Sequence, residues 1–429
     1  MAEEESLLER HRRVLPRWIA LYYDDPIQLV DGSGCCVRDA QGREYLDFFG
    51  GILTTMVGYN VPDIVQAIQR QAERMVHTST LYLIEPMIEL AELLVAKAPM
   101  PNAKVFFTAS GTEANDTALM LATTVRKSNQ ILALRNSYHG RSFAAQAITG
   151  TRSWSASSLT PLNVSFIHSG YKYRSIFKQL DDDAYSAVCA QDLREVLMTC
   201  TAGDVAALIA EPIQGVGGFV VPPANYFREM KKVLDEYGIL FISDEVQTGW
   251  GRTGASFWGC QDFGVEPDVV TFAKGVANGV TMGGVIARAE IMDAVAANSI
   301  STFGGNPLSS AAALATLRYL LDHDLQSNAQ QVGTHLLERL RQLQGRFGCV
   351  GEVRGKGLMI GIEIIQPDGS PAAAKTTAIQ EAAKRRGLLL GKGGLYGNCF
   401  RIAPPLCLTS DEANRGADII AASIAEVAA

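Results

Sequence analysis

From about residue 60 to residue 300 the chain repeats one pattern: a short apolar run, a polar break, then a stretch with helical periodicity. The runs fall at 104–107, 130–134, 205–210, 239–243, 268–272 and 284–287. Unbroken apolar runs this short suit strands buried on both faces, and the segments between them suit crossover helices that cover those faces. The pattern predicts an α/β fold: a large domain with a mostly parallel sheet flanked by helices. Residues 1–20 read as an amphipathic helix, and 27–48 as a hairpin with turn signals at Asp31-Gly32 and Gln41-Gly42. Pro307 opens a long Ala/Leu-rich helix over 307–322. Helix 328–344, strand 357–364, helix 371–386 and a closing strand and helix then read as a smaller α+β domain. The expected division is an N-terminal segment 1–58 packing with the small domain, a large domain 59–305 and a C-terminal small domain 306–429.

Composition narrows the partners. A net charge of −7 and a pI near 5.5 argue against nucleic acid or an anionic membrane. No stretch of apolar residues is long enough to span a bilayer, and the acidic start Met1-Ala2-Glu3-Glu4-Glu5 is unlike an export or import leader. Eight cysteines without a C-x-x-C pair suit free thiols in a reducing compartment, so the expected location is cytoplasmic. Cys35-Cys36 reads as two small residues in a strand near a turn.

Two of the apolar runs end on chemistry. Residues 239–243 lead into Asp244-Glu245-Val246-Gln247, and 268–272 into Ala273-Lys274-Gly275. Open α/β sheets bind ligands outside the carboxyl edge of their strands, which is where this acid and this lysine fall. The pair suits a ring cofactor with a basic nitrogen at one end and an aldehyde at the other. Pyridoxal 5′-phosphate fits that description, because its electron-sink chemistry needs a lysine for the Schiff base and an anion beside the pyridinium nitrogen.

Other segments supply the remaining parts. Ser110-Gly111-Thr112-Glu113 stands between a strand and a helix, where small residues and the helix dipole favour a phosphate, although alone it is an ordinary N-cap. Tyr138 ends another strand and can stack on a pyridine ring, while Arg141 can fork onto a carboxylate; His139 between them reads as structural. Glu211 closes a buried strand and needs a partner. Ser301-Thr302 precedes the 307–322 helix and suits phosphate or an N-cap. Arg401 is a lone charge in an apolar strand, so it calls for a carboxylate partner from substrate or protein. Gly249–Gly254 spells G-x-G-x-x-G, but the glycines do not follow their strand directly and no helix comes after them, so a dinucleotide site is rejected.

In this order the motifs resemble the class III pyridoxal-phosphate aminotransferases of fold type I, from about residue 25 to the C-terminus. Within that class the likeness is nearest to alanine–glyoxylate aminotransferase 2-like proteins. It is carried by Tyr45–Phe49, His77–Thr80, Glu211–Val216, Asp244–Gly249, Asn278-Gly279, Thr302–Asn306, Arg354–Gly361 and Phe400–Pro405. The resemblance implies that Lys274 forms the aldimine and shuttles a proton. It implies that Asp244 keeps the ring nitrogen protonated, Gln247 donates to the ring O3′, and Val246 and Tyr138 sandwich the ring. Ser110, Gly111 and Thr112 would hold the phosphate, with Glu211 nearby. Thr302 would reach the phosphate from the neighbouring subunit of a homodimer whose active site lies at the interface. Arg401, Arg141 and Ser301 would meet the substrate, Arg401 at its α-carboxylate.

The implied reaction is ping-pong transfer of an amino group from an amino acid or amine to pyruvate, glyoxylate or 2-oxoglutarate. Ornithine- and γ-aminobutyrate-type members carry a glutamate that screens the substrate arginine, where this chain has Val216. Arg141, conversely, follows the His-Gly pattern of members that use glutamate, which leaves the acceptor open. Racemases, decarboxylases, lyases and a non-catalytic pyridoxal-phosphate-binding homologue share the fold. The intact Lys274 and Asp244 disfavour the last of these.

Overall fold

The computed structural model describes residues 5–428. Its centre is a seven-stranded sheet in the order Ala103–Thr108, Gly283–Arg288, Val269–Phe272, Leu240–Asp244, Ala207–Ala210, Gln130–Leu134, Asn163–Ile167. Every run expected to be a strand is one, within a few residues. Asn163–Ile167 went unread because it is an edge strand with polar residues at alternate positions.

The expectation of a mostly parallel sheet holds, with one exception. Gly283–Arg288 runs antiparallel to both of its neighbours. A parallel link needs a crossover of a dozen or more residues. Only a turn, 273–282, separates this strand from Phe272, so the chain reverses.

Helix Gly111–Arg126 packs on one face of the sheet. Asp182–Thr199 and Tyr226–Tyr237 pack against each other and cover strands on the other face. That double cover explains why strand Ala207–Ala210 is wholly buried and reads as an unbroken apolar run.

Two smaller four-stranded sheets flank the large one. In the first, Leu29–Ser33, Cys36–Asp39 and Glu44–Asp47 pair in sequence, and Leu388–Leu389 joins parallel to Glu44–Asp47. The second orders Val350–Lys356, Met359–Ile364, Cys399–Ile402 and Gly391–Gly393, all antiparallel. The single strand expected at 357–364 is thus the second arm of a hairpin, which turns at Gly357 with φ +52°.

Helix boundaries follow local chemistry. Pro307–Asp322 starts where expected, with the Asn306 side chain accepting from the Ser309 N–H at 2.9 Å. Of the helix expected over 1–20, residues 1–4 lie outside the described residues, and the observed helix is Leu7–Val14. Ser6 and Glu9 form its capping box, and Pro16 pushes Leu15 into extended backbone at ψ 148°.

Candidate active site

The carboxyl edge of the large sheet opens into a cavity of about 330 Å³, within the range of small-molecule sites. Strand Leu240–Asp244 delivers Asp244 to it, and Val269–Phe272 delivers Lys274 two residues on. Ser110, Gly111, Thr112, Tyr138, Glu211, Val246 and Gln247 line the same space. Of the residues expected at the site, Arg401, Arg141, Ser301 and Thr302 are not among the lining residues, and Arg401 meets the cavity wall through its hydrogen bond to Gln247.

Asp244 is held as a hydrogen-bond acceptor from three sides. Its Oδ2 accepts from Asn115 Nδ2 at 2.9 Å and from His139 Nδ1 at 2.7 Å, and its Oδ1 accepts from the Val246 N–H at 3.1 Å. Asn115 also donates to the His139 carbonyl, and its Oδ1 accepts from Thr271 Oγ1, so the amide cannot rotate. The sequence reading missed Asn115 and took His139 as merely structural. A signal existed for Asn115: it lies four residues after Gly111 and so shares that residue's helix face. His139 Nε2 is buried with no partner.

At the other end, Ser110 caps helix Gly111–Arg126, its hydroxyl accepting from the Glu113 N–H at 3.2 Å. The first N–H groups of a helix have no intrahelical acceptor and draw an anion. A Cβ on Gly111 would stand 3.2 Å from both methyls of Val246, so the helix start approaches that wall as closely as a residue without a side chain allows.

Enclosure shifts the pKa values of the site. Lys274 is pushed down to about 8, first by burial and then by the Arg401 cation, against the opposing pull of Asp244 and Glu211. Glu211 is pushed up to about 7 by burial, although it accepts from the Tyr138 and Gly215 N–H groups at 3.0 and 2.8 Å.

Arg401 is buried between two rings, its guanidinium 5.1 Å from the Phe49 centroid and 5.0 Å from that of Phe219. One terminal nitrogen donates to Gln247 Oε1 at 3.0 Å, Nε has no partner, and no carboxylate pairs with the group among the described residues. Burial lowers its pKa.

Arg141 is exposed, its guanidinium 5.2 Å from the Trp18 ring centroid. Ser301 is buried outside the cavity and donates to Glu113 Oε1 at 2.7 Å. Thr302 is exposed.

A strained turn supplies Thr54 to the cavity wall. Gly50, Gly51, Ile52 and Leu53 all have positive φ, from 53° to 65°, which is costly for the last two. Asp47 anchors the turn by accepting from the Phe49 and Gly50 N–H groups, and the Tyr59 hydroxyl donates to Asp47 at 2.7 Å. Tyr59 had no reading from sequence.

The profile of the class-III aminotransferases matches residues 22–424. The chain belongs to that family. It is a pyridoxal-phosphate-dependent aminotransferase. The aminotransferase is 39% identical to alanine–glyoxylate aminotransferase 2 homolog 2 of Arabidopsis thaliana, over 96% of its own length and 85% of the relative's. It is 38% identical to an alanine/serine racemase of Pyrococcus horikoshii, over 98% and 90%. Its fold matches the pyridoxal-phosphate-bound amine transaminase of an uncultivated Pseudomonas species with a TM-score of 0.89 at 32% identity, over 94% and 95%.

The residues present fit the cofactor. Helix N–H groups suit a phosphate at one end, a fixed carboxylate suits a ring N–H at the other, and an amine of lowered pKa stands within the same cavity. No helix among the described residues is long and apolar enough to cross a membrane.

Proposed function

We propose that this aminotransferase moves the amino group of an α-amino acid to a small 2-oxo acid, pyruvate or glyoxylate, in a ping-pong cycle. The observation that carries this reading is Arg401: a buried guanidinium beside the lysine, with donors to spare and no carboxylate partner among the described residues. A buried charge needs a counter-ion, and the substrate α-carboxylate is the one that fits. Val216 leaves Arg401 unmasked. Arg141 rests on Trp18 outside the cavity, which favours acceptors lacking a second carboxylate over 2-oxoglutarate.

Bound pyridoxal phosphate supplies an aldehyde for the amine and a protonated ring that takes up the electron pair released at Cα. The Gly111 and Thr112 N–H groups and Ser110 would hold the phosphate, Val246 and Tyr138 would flank the ring, and Asp244 would accept the ring N–H. Gln247 Oε1 holds Arg401, and its amide N–H would donate to the ring oxygen. Arg401 would fix the substrate carboxylate and so turn the Cα–H bond towards Lys274. Lys274, neutral above about pH 8, takes that proton and returns it one atom away. This orientation favours proton transfer over loss of carbon dioxide.

The active unit in this reading is a homodimer. Thr302 is exposed and reaches the phosphate of a second copy, and the neighbouring Leu81–Leu83 segment leaves its side chains 68–93% exposed for that copy to cover. The division into 1–58, 59–305 and 306–429 belongs to the same reading, with Leu388–Leu389 pairing the first segment to the last. So does a cytoplasmic location, supported by eight cysteines that form no disulfide.

A panel of amino donors against glyoxylate, pyruvate and 2-oxoglutarate, read by keto-acid formation and chiral analysis, tests the function. Alanine with glyoxylate should give pyruvate and glycine. Accumulation of D-alanine without keto acid would instead make the chain a racemase like its Pyrococcus relative and sink the proposal.

A further inference from the structure

The Gly249–Gly254 run, rejected as a dinucleotide loop, carries a charge that transamination leaves unexplained. Arg252 is 2% exposed, donates to the carbonyls of Leu358 at 3.2 Å and of Pro404, and has no carboxylate partner among the described residues. Burial pushes its pKa down to about 10, and the ionisable groups that pull the other way are the thiols of Cys35 and Cys407. Those sulfurs lie 3.6 Å apart although 372 positions separate them in sequence. The adjacent Cys35-Cys36 of the sequence is therefore not the pair that meets.

The two thiols are unequal. Cys35 is buried, and Cys407 is partly buried. The hydrogen bond from Cys35 holds the Cys407 thiol below its usual value and Arg252 helps, while burial and Glu412 oppose. A thiol of lowered pKa on the less buried residue, with a second thiol in contact at 3.6 Å, is the arrangement of a peroxide-reactive cysteine and its resolving partner.

We propose that Cys35 and Cys407 form a peroxide-responsive pair whose disulfide slows the active site. The Cys407 thiolate attacks one oxygen of hydrogen peroxide, breaking the O–O bond to give a sulfenic acid and hydroxide, which takes up a proton as water. Cys35 then attacks the Cys407 sulfur, forming the S–S bond and releasing the oxygen as a second water. Two thiols lose two electrons, and one peroxide becomes two waters.

Closing 3.6 Å to a bond of about 2.05 Å moves the sulfurs together by about 1.5 Å. Cys407 Sγ lies 3.0 Å from where a Cβ on Gly58 would stand, and the residue before it, Leu406, donates its N–H to the Met56 carbonyl at 2.7 Å. Asn278 binds the Val57 N–H and the Gly58 carbonyl at 3.0 and 2.9 Å, and Asn278 ends the turn that begins at Lys274. A shift at Cys407 is thereby handed to the lysine through Gly58 and Asn278. The proposal is independent of which amino acid is the donor.

The test exposes the cofactor-loaded enzyme to graded hydrogen peroxide, then maps peptides without reduction while following turnover. A Cys35–Cys407 crosslink should form before the exposed Cys200 is over-oxidised. Turnover should fall roughly tenfold to a hundredfold in step with it, the scale of a misplacement of about 1 Å, and return with dithiothreitol. Cys35→Ser should start with full activity but lose it irreversibly to peroxide, as Cys407 passes to the sulfinic acid. Cys407→Ser should resist peroxide. Cys200 oxidation without the 35–407 crosslink, or a crosslinked enzyme of undiminished turnover, overturns the switch, and both are read on the native chain even if neither variant folds.

Discussion

Removing the Arg401 guanidinium should penalise substrates in proportion to their carboxylates and leave carboxylate-free amines alone. Nη2 donates to Gln247 with one of its two hydrogens, so its second hydrogen and Nη1 remain as the terminal edge that can fork onto a carboxylate. Such a water-excluded, charge-assisted pair contributes about 2–3 kcal/mol. Arg401→Ala should therefore cost L-alanine roughly 30- to 150-fold in kcat/KM, at about 1.4 kcal/mol per tenfold. Arg401→Lys keeps the charge but not the fork, and should recover only part of the loss. The clean assay is the single-turnover half-reaction of the cofactor-loaded enzyme with donor alone, because the acceptor also carries a carboxylate. Propan-2-amine, the same carbon skeleton without the acid, is the control. If both donors lose rate equally, Arg401 supports the fold of the site and not the substrate, and the reasoning fails.

Three further outcomes follow from the same geometry. Asp244→Asn should retain pyridoxal phosphate but slow the half-reaction by about two to three and a half orders of magnitude, since breaking a buried ion pair costs about 3–5 kcal/mol; near-normal turnover would falsify its role. Arg141→Ala should leave alanine and glyoxylate unchanged, whereas a loss of more than about tenfold confined to 2-oxoglutarate would show that Arg141 turns from Trp18 to grip a distal carboxylate. Burial lowers the Lys274 pKa to about 8, and its neutral form is the nucleophile, so cofactor uptake by the apoenzyme should rise about tenfold per pH unit below that value and level off above it. An inflection near 10 would mean an ordinary, solvated lysine.

Much of the fold was legible because its signals are local. Short buried strands, Pro307 at a helix start and polar residues at strand ends each act within a few positions. The failures share a different cause. Gly283–Arg288 has the composition of its parallel neighbours, and only the short link before it reverses its direction. The 350–356 strand was missed because polar and charged residues on one face break the apolar period, although Arg354 there is nearly buried against Glu352 and Glu363. Within the site, Lys274 and Asp244 announce themselves at strand ends, whereas Asn115 and His139 matter only because the fold brings them within 3 Å of Asp244. The Cys35–Cys407 contact joins segments from the two ends of the chain and has no sequence signal at all.

Arg354 shows how such distant residues act on the chemistry without touching it. Its guanidinium donates to the carbonyls of Gly218 and Phe219, at 2.9 and 3.3 Å. Those two residues sit at φ +107° and +52°, and the second is strained for a residue with a side chain. The strained turn is what brings the Phe219 ring against Arg401, opposite Phe49. A guanidinium wedged between two rings has few orientations left, so the direction of its open donors is set before a substrate arrives. That cation is also the second cause, after burial, of the lowered Lys274 pKa. In the proposed reaction a substrate carboxylate that neutralised Arg401 would weaken the cation's hold on Lys274 and make the lysine a stronger base, at the moment a proton is to be taken from Cα. A carboxylate-free amine would leave Arg401 unpaired and Lys274 the weaker base, so in the proposed reaction one arginine sets both the orientation of the bond that breaks and the strength of the base that breaks it.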